Sequence, residues 1–232
     1  MGSHYTLKES SYSSHSQVLA AFPMQGNGRS VLDLGCGNAY LGGLLVERGY
    51  RVTGVERAGG FDRELVPAGV RMVAADLERP LQIDERFDFA LCADILEHLR
   101  QPEHLLRDTA RLLKPEGRLI ASLPNSGHLY FRLNVLAGRF PQHDKGLFDR
   151  THVRFYMWDG WRELLAASGF ALAETRVSGI PFGVAFPGSA GTWWVRGLEW
   201  FSHATARFWR RLFAYQFIVT CYHRESEDSR QA

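Results

Sequence analysis

The chain has 232 residues, of which 45% are hydrophobic and 22% charged, a composition typical of a soluble globular protein. Its net charge of +2 gives no support for a broad nucleic-acid-binding surface, and its three scattered cysteines indicate reduced thiols rather than a disulfide framework or a zinc site. The polar start of the chain lacks the apolar core of a signal peptide, and no stretch of about 18 apolar residues occurs, so we expect a cytoplasmic protein.

Helix-like and strand-like segments alternate along the chain from about residue 16. Seven segments have the apolar character of buried strands: SVLDLGC (30–36), RVTGVE (51–56), VRMVAAD (70–76), FDFALCAD (87–94), GRLIASLP (117–124), ALAETRVSG (171–179) and QFIVTCYH (216–223). The segments with helical spacing are SQVLAAF (16–22), AYLGGLLVERG (39–49), PEHLLRDTARLLKPEG (102–117) and DGWRELLAASGF (159–170). Apolar strands separated by helices predict an α/β fold, in which a mostly parallel sheet is covered on both faces, and we expect one domain over residues 1–232.

The first strand runs into a glycine-rich turn, VLDLGCG, which contains Asp33, Gly35 and Gly37. Glycine allows a left-handed backbone and a close approach of a ligand, and the acid Glu56 ends the next strand, where its two oxygens can bind both hydroxyls of a ribose. Two cofactors share this outline: a dinucleotide and S-adenosylmethionine. The dinucleotide fingerprint requires a third glycine where this chain has Tyr40, so a pyrophosphate site is disfavoured.

The D-x-G-x-G turn with an acid at the end of the next strand resembles the first two motifs of the class I S-adenosylmethionine-dependent methyltransferases. The resemblance continues in register over residues 16–178, with ALCADILEHL (90–99) as the fourth motif and LLKPEGRLIASLPN (112–125) as the segment after it. It implies a Rossmann-like, doubly wound sheet of seven strands, mostly parallel with an antiparallel last strand. It also implies S-adenosylmethionine as cofactor, S-adenosylhomocysteine as product and a cofactor site of Asp33, Gly35, Cys36, Gly37, Glu56, Asp76, Leu77 and Ala93. Asp76 and Leu77 correspond to the adenine-binding position, and Ala39 departs from the family, which often has a third glycine there.

His98 follows Glu97 just after the fourth strand, at the edge of the sheet where ligands bind. Histidines titrate near neutral pH, so a histidine here could accept the proton of a hydroxyl during methyl transfer; the alternative is a histidine bonded to backbone at the start of a helix. Some related methyltransferases use a comparable Glu-His pair for a divalent metal. Adjacent helical positions point about 100° apart, so the pair would need a distorted backbone or further ligands, and we expect no metal.

The connection between the fifth strand and the next helix, residues 125–158, is long and aromatic, which indicates a functional segment. We expect it to cover the substrate, with His152 and Arg154 facing the cleft; a salt-bridged loop in which Asp149 pairs with Arg154 is the structural alternative. LPN, HLYFRLNVLAGR and DRTHVRF also resemble a branch of methyltransferases from cell-surface glycan and secondary-metabolite pathways.

Residues 180–214 form a second insertion, in which aromatic residues alternate with arginines in a pattern typical of an amphipathic helix. Three roles remain open for residues 192–213: a lid over the cleft, a homodimer surface, or a helix lying on an anionic membrane.

Two functions remain open at this point. The first is an O-methyltransferase acting on a hydroxyl of a sugar, a glycan precursor or another small metabolite, with His98 as the base. The second is an accessory protein that binds the cofactor and regulates a partner enzyme. A dehydrogenase is a distant third because Tyr40 replaces the third glycine.

Overall fold

The computed structural model describes residues 10–189 and 191–224. The strands are β1 (Ser30–Leu34), β2 (Arg51–Glu56), β3 (Val70–Ala74), β4 (Phe87–Ala93), β5 (Leu113–Pro124), β6 (Phe170–Ser178) and β7 (Gln216–His223). The α-helices are α1 (Ser14–Ala21), α2 (Tyr40–Glu47), α3 (Pro102–Leu112), α4 (Leu129–Leu136), α5 (Trp158–Ala167), α6 (Phe182–Ala185), α7 (Trp193–Phe208) and α8 (Arg210–Phe213). Short 3₁₀ turns lie at Arg63–Leu65, Leu96–His98 and Pro187–Ser189.

The strands form one seven-stranded sheet in the order β3-β2-β1-β4-β5-β7-β6. Strands β1 to β5 pair in parallel, whereas β7 lies antiparallel between β5 and β6. This is the mostly parallel, seven-stranded Rossmann-like sheet that the sequence predicted. The strand order reverses between β1 and β4, so the loops that follow these two strands meet at the point where open α/β sheets bind ligands.

Both faces of the sheet are buried, which explains why the central strands are apolar without alternation. In β1, Leu32 and Leu34 join a core cluster with Leu106 of α3 and Trp161 of α5. Val31 joins the opposite cluster, which contains residues of α1 and α2. Every residue of β1 is buried, and the strand therefore holds the glycine turn at its end in a fixed position.

The predicted end of α3 is wrong. The helix expected over 102–117 ends at Leu112, and β5 begins at Leu113 rather than at residue 117. Pro115 explains the difference, because the residue before a proline is driven away from the helical conformation. The predicted end of α2 is confirmed: Gly49 follows the helix with a φ of 82°.

Both insertions contain helices. The 125–158 connection includes α4 and an aromatic cluster in which Phe131 stacks on Phe148, with ring centroids 4.4 Å apart. The 180–214 insertion forms α6, α7 and α8, and α7 is the helix that the aromatic and arginine pattern predicted. Within the described residues, none of the helices combines the length and the apolar character needed to cross a bilayer.

Candidate active site

The loop after β1 takes a left-handed backbone at three positions: Gly35 with a φ of 73°, Gly37 with 53° and Ala39 with 55°. Ala39, which stands where the family often has a third glycine, thus adopts a backbone conformation that favours glycine. The turn therefore carries local backbone strain at this position. The carboxylate of Glu56 holds the loop, since its Oε2 accepts a hydrogen bond from the amide of Gly37 at 2.9 Å. Its Oε1 accepts from the amide of Arg57 at 3.0 Å, so Glu56 lies beside the glycine turn.

Asp33 lies beneath this loop and is only 2% exposed. Burial, with a further contribution from the negative charge of Glu56, raises its pKa from 3.8 to about 7. Cys36 lies in the same loop, and burial together with the charges of Asp33 and Glu56 raises its pKa above the usual thiol range. Two neighbouring acids therefore lie where the sequence predicts that a cationic sulfonium cofactor binds.

The remaining predicted cofactor residues lie on neighbouring strand ends. Asp76 is exposed after β3 and accepts from the amide of Glu78 at 3.0 Å, while Leu77 is buried in the main core cluster. Ala93 is the last residue of β4 and is partly buried. These residues belong to the carboxyl edge of the sheet, as parallel strands require.

The loop after β4 contacts the glycine turn and carries the candidate catalytic residues. A Cβ at Gly35 would lie 2.5 Å from the Ile95 side chain, so the two loops are in direct contact. Asp94 adopts a left-handed backbone with a φ of 54°, and its Oδ1 accepts from Ser122 and from Gln216, both at 2.6 Å. The 3₁₀ turn that follows brings Glu97 and His98 to the edge of a cavity.

Glu97 is buried, with 1% of its surface exposed, and its Oε2 has no hydrogen-bond partner among the described residues. Burial, followed by the charge of Asp94, raises the pKa of its carboxyl well above the usual range. The ring of His152 lies beside it, with Nε2 3.8 Å from Glu97 Oε1. Burial and the neighbouring His98 lower the pKa of His152 from 6.5 to about 4, which makes this imidazole neutral at physiological pH.

His98 and His152 meet edge to face, with ring centroids 4.7 Å apart. One ligand atom from each of Glu97, His98 and His152 forms a group within 4.8 Å, a spacing that a single metal ion could bridge. His152, more than 50 residues later in the chain, stands where it could be the further ligand that the Glu-His pair would need.

Three other polar residues of the 125–158 connection do not join this cluster. Arg154 donates to the backbone carbonyl of Arg100 from Nη2 at 2.5 Å and from Nε at 3.2 Å, apart from the cavity lining. Asp149 accepts from Thr151, through its hydroxyl at 2.5 Å and its amide at 2.8 Å, rather than from Arg154 as in the structural alternative. His128 is buried at the start of α4, where its Nδ1 accepts from the amide of Tyr130 at 3.1 Å.

Several residues of the cavity were not identified from the sequence. Asp94 was predicted only as part of the fourth motif, residues 90–99. Gln216, which hydrogen-bonds to Asp94, lies 122 positions later in the chain. Tyr215 lines the cavity from the same strand end, and burial raises its pKa to about 12. An aspartate directly after an apolar strand was the one available signal, because aspartate tolerates a left-handed backbone. The cavity is lined by Asp94, Glu97, His98, Pro124, Lys145, Gly146, Leu147, Asp149, His152, Ile180, Pro181, Tyr215 and Gln216.

Known proteins match this chain in both sequence and structure. Residues 9–175 match the family described as methyltransferase domain. The ubiquinone biosynthesis O-methyltransferase of Coxiella burnetii is 28% identical over 119 residues, which cover 49% of this chain and 51% of that protein. The protein of that name from Idiomarina loihiensis is 32% identical over 172 residues, or 67% of this chain and 66% of that protein. The chain thus spans about half the length of the curated relatives that it matches first.

Solved structures show the same fold. Magnesium protoporphyrin IX methyltransferase from Synechocystis PCC 6803, with S-adenosylhomocysteine bound, superposes with a TM-score of 0.58 at 18% identity over 90% of this chain and 80% of that chain. The 1,6-didemethyltoxoflavin-N1-methyltransferase of Burkholderia thailandensis gives a TM-score of 0.56 at 18% identity over 90% and 76%. Together with the family match over residues 9–175, this fold and its glycine turn show that the chain belongs to the class I S-adenosylmethionine-dependent methyltransferases.

Proposed function

We propose that the protein transfers the methyl group of S-adenosylmethionine to a hydroxyl oxygen of a small molecule, with His98 as the base. The observation that carries the proposal is the environment of the His98 ring, which lines the cavity at the end of β4. Its Nδ1 lies 3.2 Å from the carbonyl oxygen of Thr151 and 3.0 Å from the Thr151 hydroxyl.

These two contacts favour one tautomer of His98. A hydroxyl has one proton to donate, and the Thr151 hydroxyl directs it to Asp149 Oδ1 at 2.5 Å. Both Thr151 oxygens are then acceptors for the His98 ring, so the proton lies on Nδ1 and the lone pair on Nε2. An imidazole oriented in this way is suited to general-base catalysis.

The proposed reaction is a single displacement. An acceptor oxygen attacks the methyl carbon, the carbon–sulfur bond breaks, S-adenosylhomocysteine leaves, and the hydroxyl proton moves to His98 Nε2. The names of the relatives support oxygen as the acceptor atom, since those proteins are O-methyltransferases. Pro124, Leu147, Ile180 and Tyr215 in the cavity lining favour an acceptor with an apolar ring over a free sugar.

The test is methyl transfer to a panel of hydroxylated aromatic and sugar acceptors, read by mass spectrometry, with cofactor binding measured by calorimetry. We expect His98→Ala to bind the cofactor normally and to lose about 10²–10⁴-fold in turnover. Thr151→Val should show a smaller loss, because the ring loses the hydroxyl contact but keeps the Thr151 carbonyl as an acceptor for Nδ1. The matched control is His143→Ala, a histidine of the same connection outside the cavity lining. Full turnover by His98→Ala would remove the base; cofactor binding without turnover on any acceptor would favour the accessory-protein function.

A divalent cation is a second candidate for activating the hydroxyl, and the unpartnered Oε2 of Glu97 favours it. A buried carboxylate without a partner is costly, and a cation among Glu97, His98 and His152 would compensate its charge. His152 suits this role, because the neutral imidazole is the ligand form and its ring also hydrogen-bonds to the Leu147 backbone. A cation held there would lower the pKa of a bound hydroxyl.

Calorimetric titration with Mn²⁺, Mg²⁺ and Zn²⁺ separates the two candidates. If the cluster binds a cation, the wild type should bind it, and release of protons should accompany binding because the raised pKa of Glu97 favours the protonated carboxyl in the metal-free protein. Glu97→Gln and His152→Ala should each abolish binding, whereas His143→Ala should not. Turnover that is unaffected by a chelator, in a protein that binds none of the three cations, would leave His98 as the base.

A further inference from the structure

Helix α7 presents its aromatic residues to the outside. Trp193, Trp200, Phe201 and Phe208, which we term the aromatic stripe, are 84%, 60%, 62% and 91% exposed. Their spacing places all four within an arc of about 100° on the helix surface. Gly197 and Ala204 lie in the same arc, so small residues fill the spaces between the rings. The stripe is one continuous apolar strip along a helix of 16 residues.

The inward face of α7 is partly polar, which is the reverse of an ordinary surface helix. Its buried residues are Val195, Glu199, Ser202 and Ala206. Glu199 Oε1 accepts from the amide of Gly183 at 3.0 Å, and Ser202 Oγ accepts from the amide of Ile180 at 2.9 Å. These bonds fix the helix with the aromatic stripe facing away from the protein, so the exposure is built into the fold.

The exposed charged residues between positions 193 and 213 are all arginines. Arg196 and Arg207 lie on one flank of the stripe, and Arg210 and Arg211 follow in α8. Arg211 pairs with Asp159 at 2.8 Å, and the guanidinium of Arg210 lies over the Trp158 ring, which leaves the α7 arginines as the ones beside the stripe. The single acid between residues 193 and 213 is Glu199, and it is buried.

We propose that α7 docks on the surface of a membrane that contains anionic lipids, with the aromatic stripe in the interfacial region and Arg196 and Arg207 against the headgroups. Tryptophan and phenylalanine are favoured at this depth, and each cation near the surface adds attraction to anionic lipid. A second copy of the chain is a poorer occupant, because it would bring two stripes together with their arginines and no exposed acid from either helix.

The docked helix also supports a wall of the active-site cavity. Ser202 holds the amide of Ile180, and Ile180 and Pro181 line the cavity. The identity of the acceptor, unlike the membrane docking, rests on the proposed methyl transfer. For that reaction, the acceptor is an amphiphilic molecule whose hydroxylated head enters the cavity while its apolar part remains in the lipid.

The test uses the full chain and sedimentation with two kinds of vesicle, phosphatidylcholine alone and phosphatidylcholine with phosphatidylglycerol. The wild type should bind the anionic vesicles more tightly, and added salt should weaken this binding. The double variant Trp200→Ala/Phe201→Ala should lower partitioning to both vesicles about tenfold or more, because two rings no longer enter the interface. Arg196→Gln/Arg207→Gln should lower partitioning to the anionic vesicles alone by about tenfold.

Met24→Ala is the matched control, since Met24 is a large exposed apolar residue far from α7 in sequence, and it should bind as the wild type does. A wild type that stays in the supernatant with anionic vesicles at low salt would overturn the proposal. Unchanged vesicle binding by the Trp200→Ala/Phe201→Ala variant would also overturn it. A wild-type dimer that this variant dissociates would overturn it as well, because the stripe would then be a contact between two copies of the chain. Vesicle binding is read without cofactor or acceptor, so its failure and a failure of the proposed methyl transfer are separate results.

Discussion

The buried Asp33 should make the cofactor-free protein less stable, and Asp33→Asn should therefore stabilise it. The pKa of Asp33 is raised from 3.8 to about 7, chiefly by burial and then by Glu56. One pKa unit corresponds to about 1.4 kcal/mol, so the ionised carboxylate costs about 4 kcal/mol of folding free energy. Because the folded state holds the proton more tightly than the unfolded chain, this cost is absent below the unfolded pKa, grows as pH rises, and is complete above the folded pKa.

The assay is urea unfolding of the cofactor-free wild type and of Asp33→Asn at two pH values, followed by circular dichroism. At about pH 8 the variant should be more stable by up to about 4 kcal/mol, and at about pH 5 the gain should shrink to under about 2 kcal/mol. The same substitution should weaken binding of the cationic cofactor, an exchange of function for stability that is common at ligand sites.

Asp88→Asn provides a control of opposite sign. Burial by itself would raise the pKa of Asp88, but hydrogen bonds from Lys114 and Ser30 outweigh it and lower the pKa. Removing this carboxylate should destabilise the protein at about pH 8, and the loss should fade in acid. If Asp33→Asn is less stable than the wild type at the higher pH, or if its gain does not change with pH, then burial of Asp33 does not carry the cost assigned to it.

Two further predictions concern the glycine turn and acid stability. Gly35→Ala should lose both stability and cofactor binding, because its Cβ would lie 2.5 Å from the Ile95 side chain. The Cβ of Gly37→Ala would meet nothing within 4 Å, so this variant should lose only the stability that the strain of its positive φ costs. Equal unfolding midpoints for the two variants would contradict this. Burial lowers the pKa of His128 to about 4, so acidification from about pH 6.5 to pH 4 should destabilise the wild type by about 3 kcal/mol more than His128→Asn. Asparagine is chosen because its side chain can still cap α4. Equal acid sensitivity of the two proteins in urea unfolding would contradict this prediction.

The sheet could be predicted from the sequence because its information is local. Apolar runs such as RVTGVE are long enough to identify a buried strand, and β2 occupies Arg51–Glu56 as predicted. The glycine turn was equally accessible, since Gly35 and Gly37 adopt the positive φ values that the sequence implied. The end of α3 was misplaced because two boundary signals, Pro115 and Gly117, lie close together and the earlier one decides where the helix ends.

The candidate catalytic cluster was harder to predict because it depends on contacts between distant segments. His98 and His152 were both predicted as site residues, but nothing in the sequence indicates that their rings meet or that Glu97 Oε2 is buried beside them without a hydrogen-bond partner among the described residues. The placement of Arg154 shows the same limitation. A side chain from a long loop can reach a cleft or a nearby backbone carbonyl, and the choice between them depends on tertiary geometry.

The loop after β4 contacts both the glycine turn after β1 and the 125–158 connection. Ile95 contacts Gly35 on one side, and two residues later the carbonyl of Glu97 accepts from the amides of Val153 and Arg154 at 3.0 and 3.1 Å. These two backbone hydrogen bonds hold residues 153 and 154 against the loop after β4. In the proposed reaction, the loop after β4 would therefore set the distance between the acceptor and the methyl donor, because it contacts the glycine turn on one side and the 125–158 connection on the other.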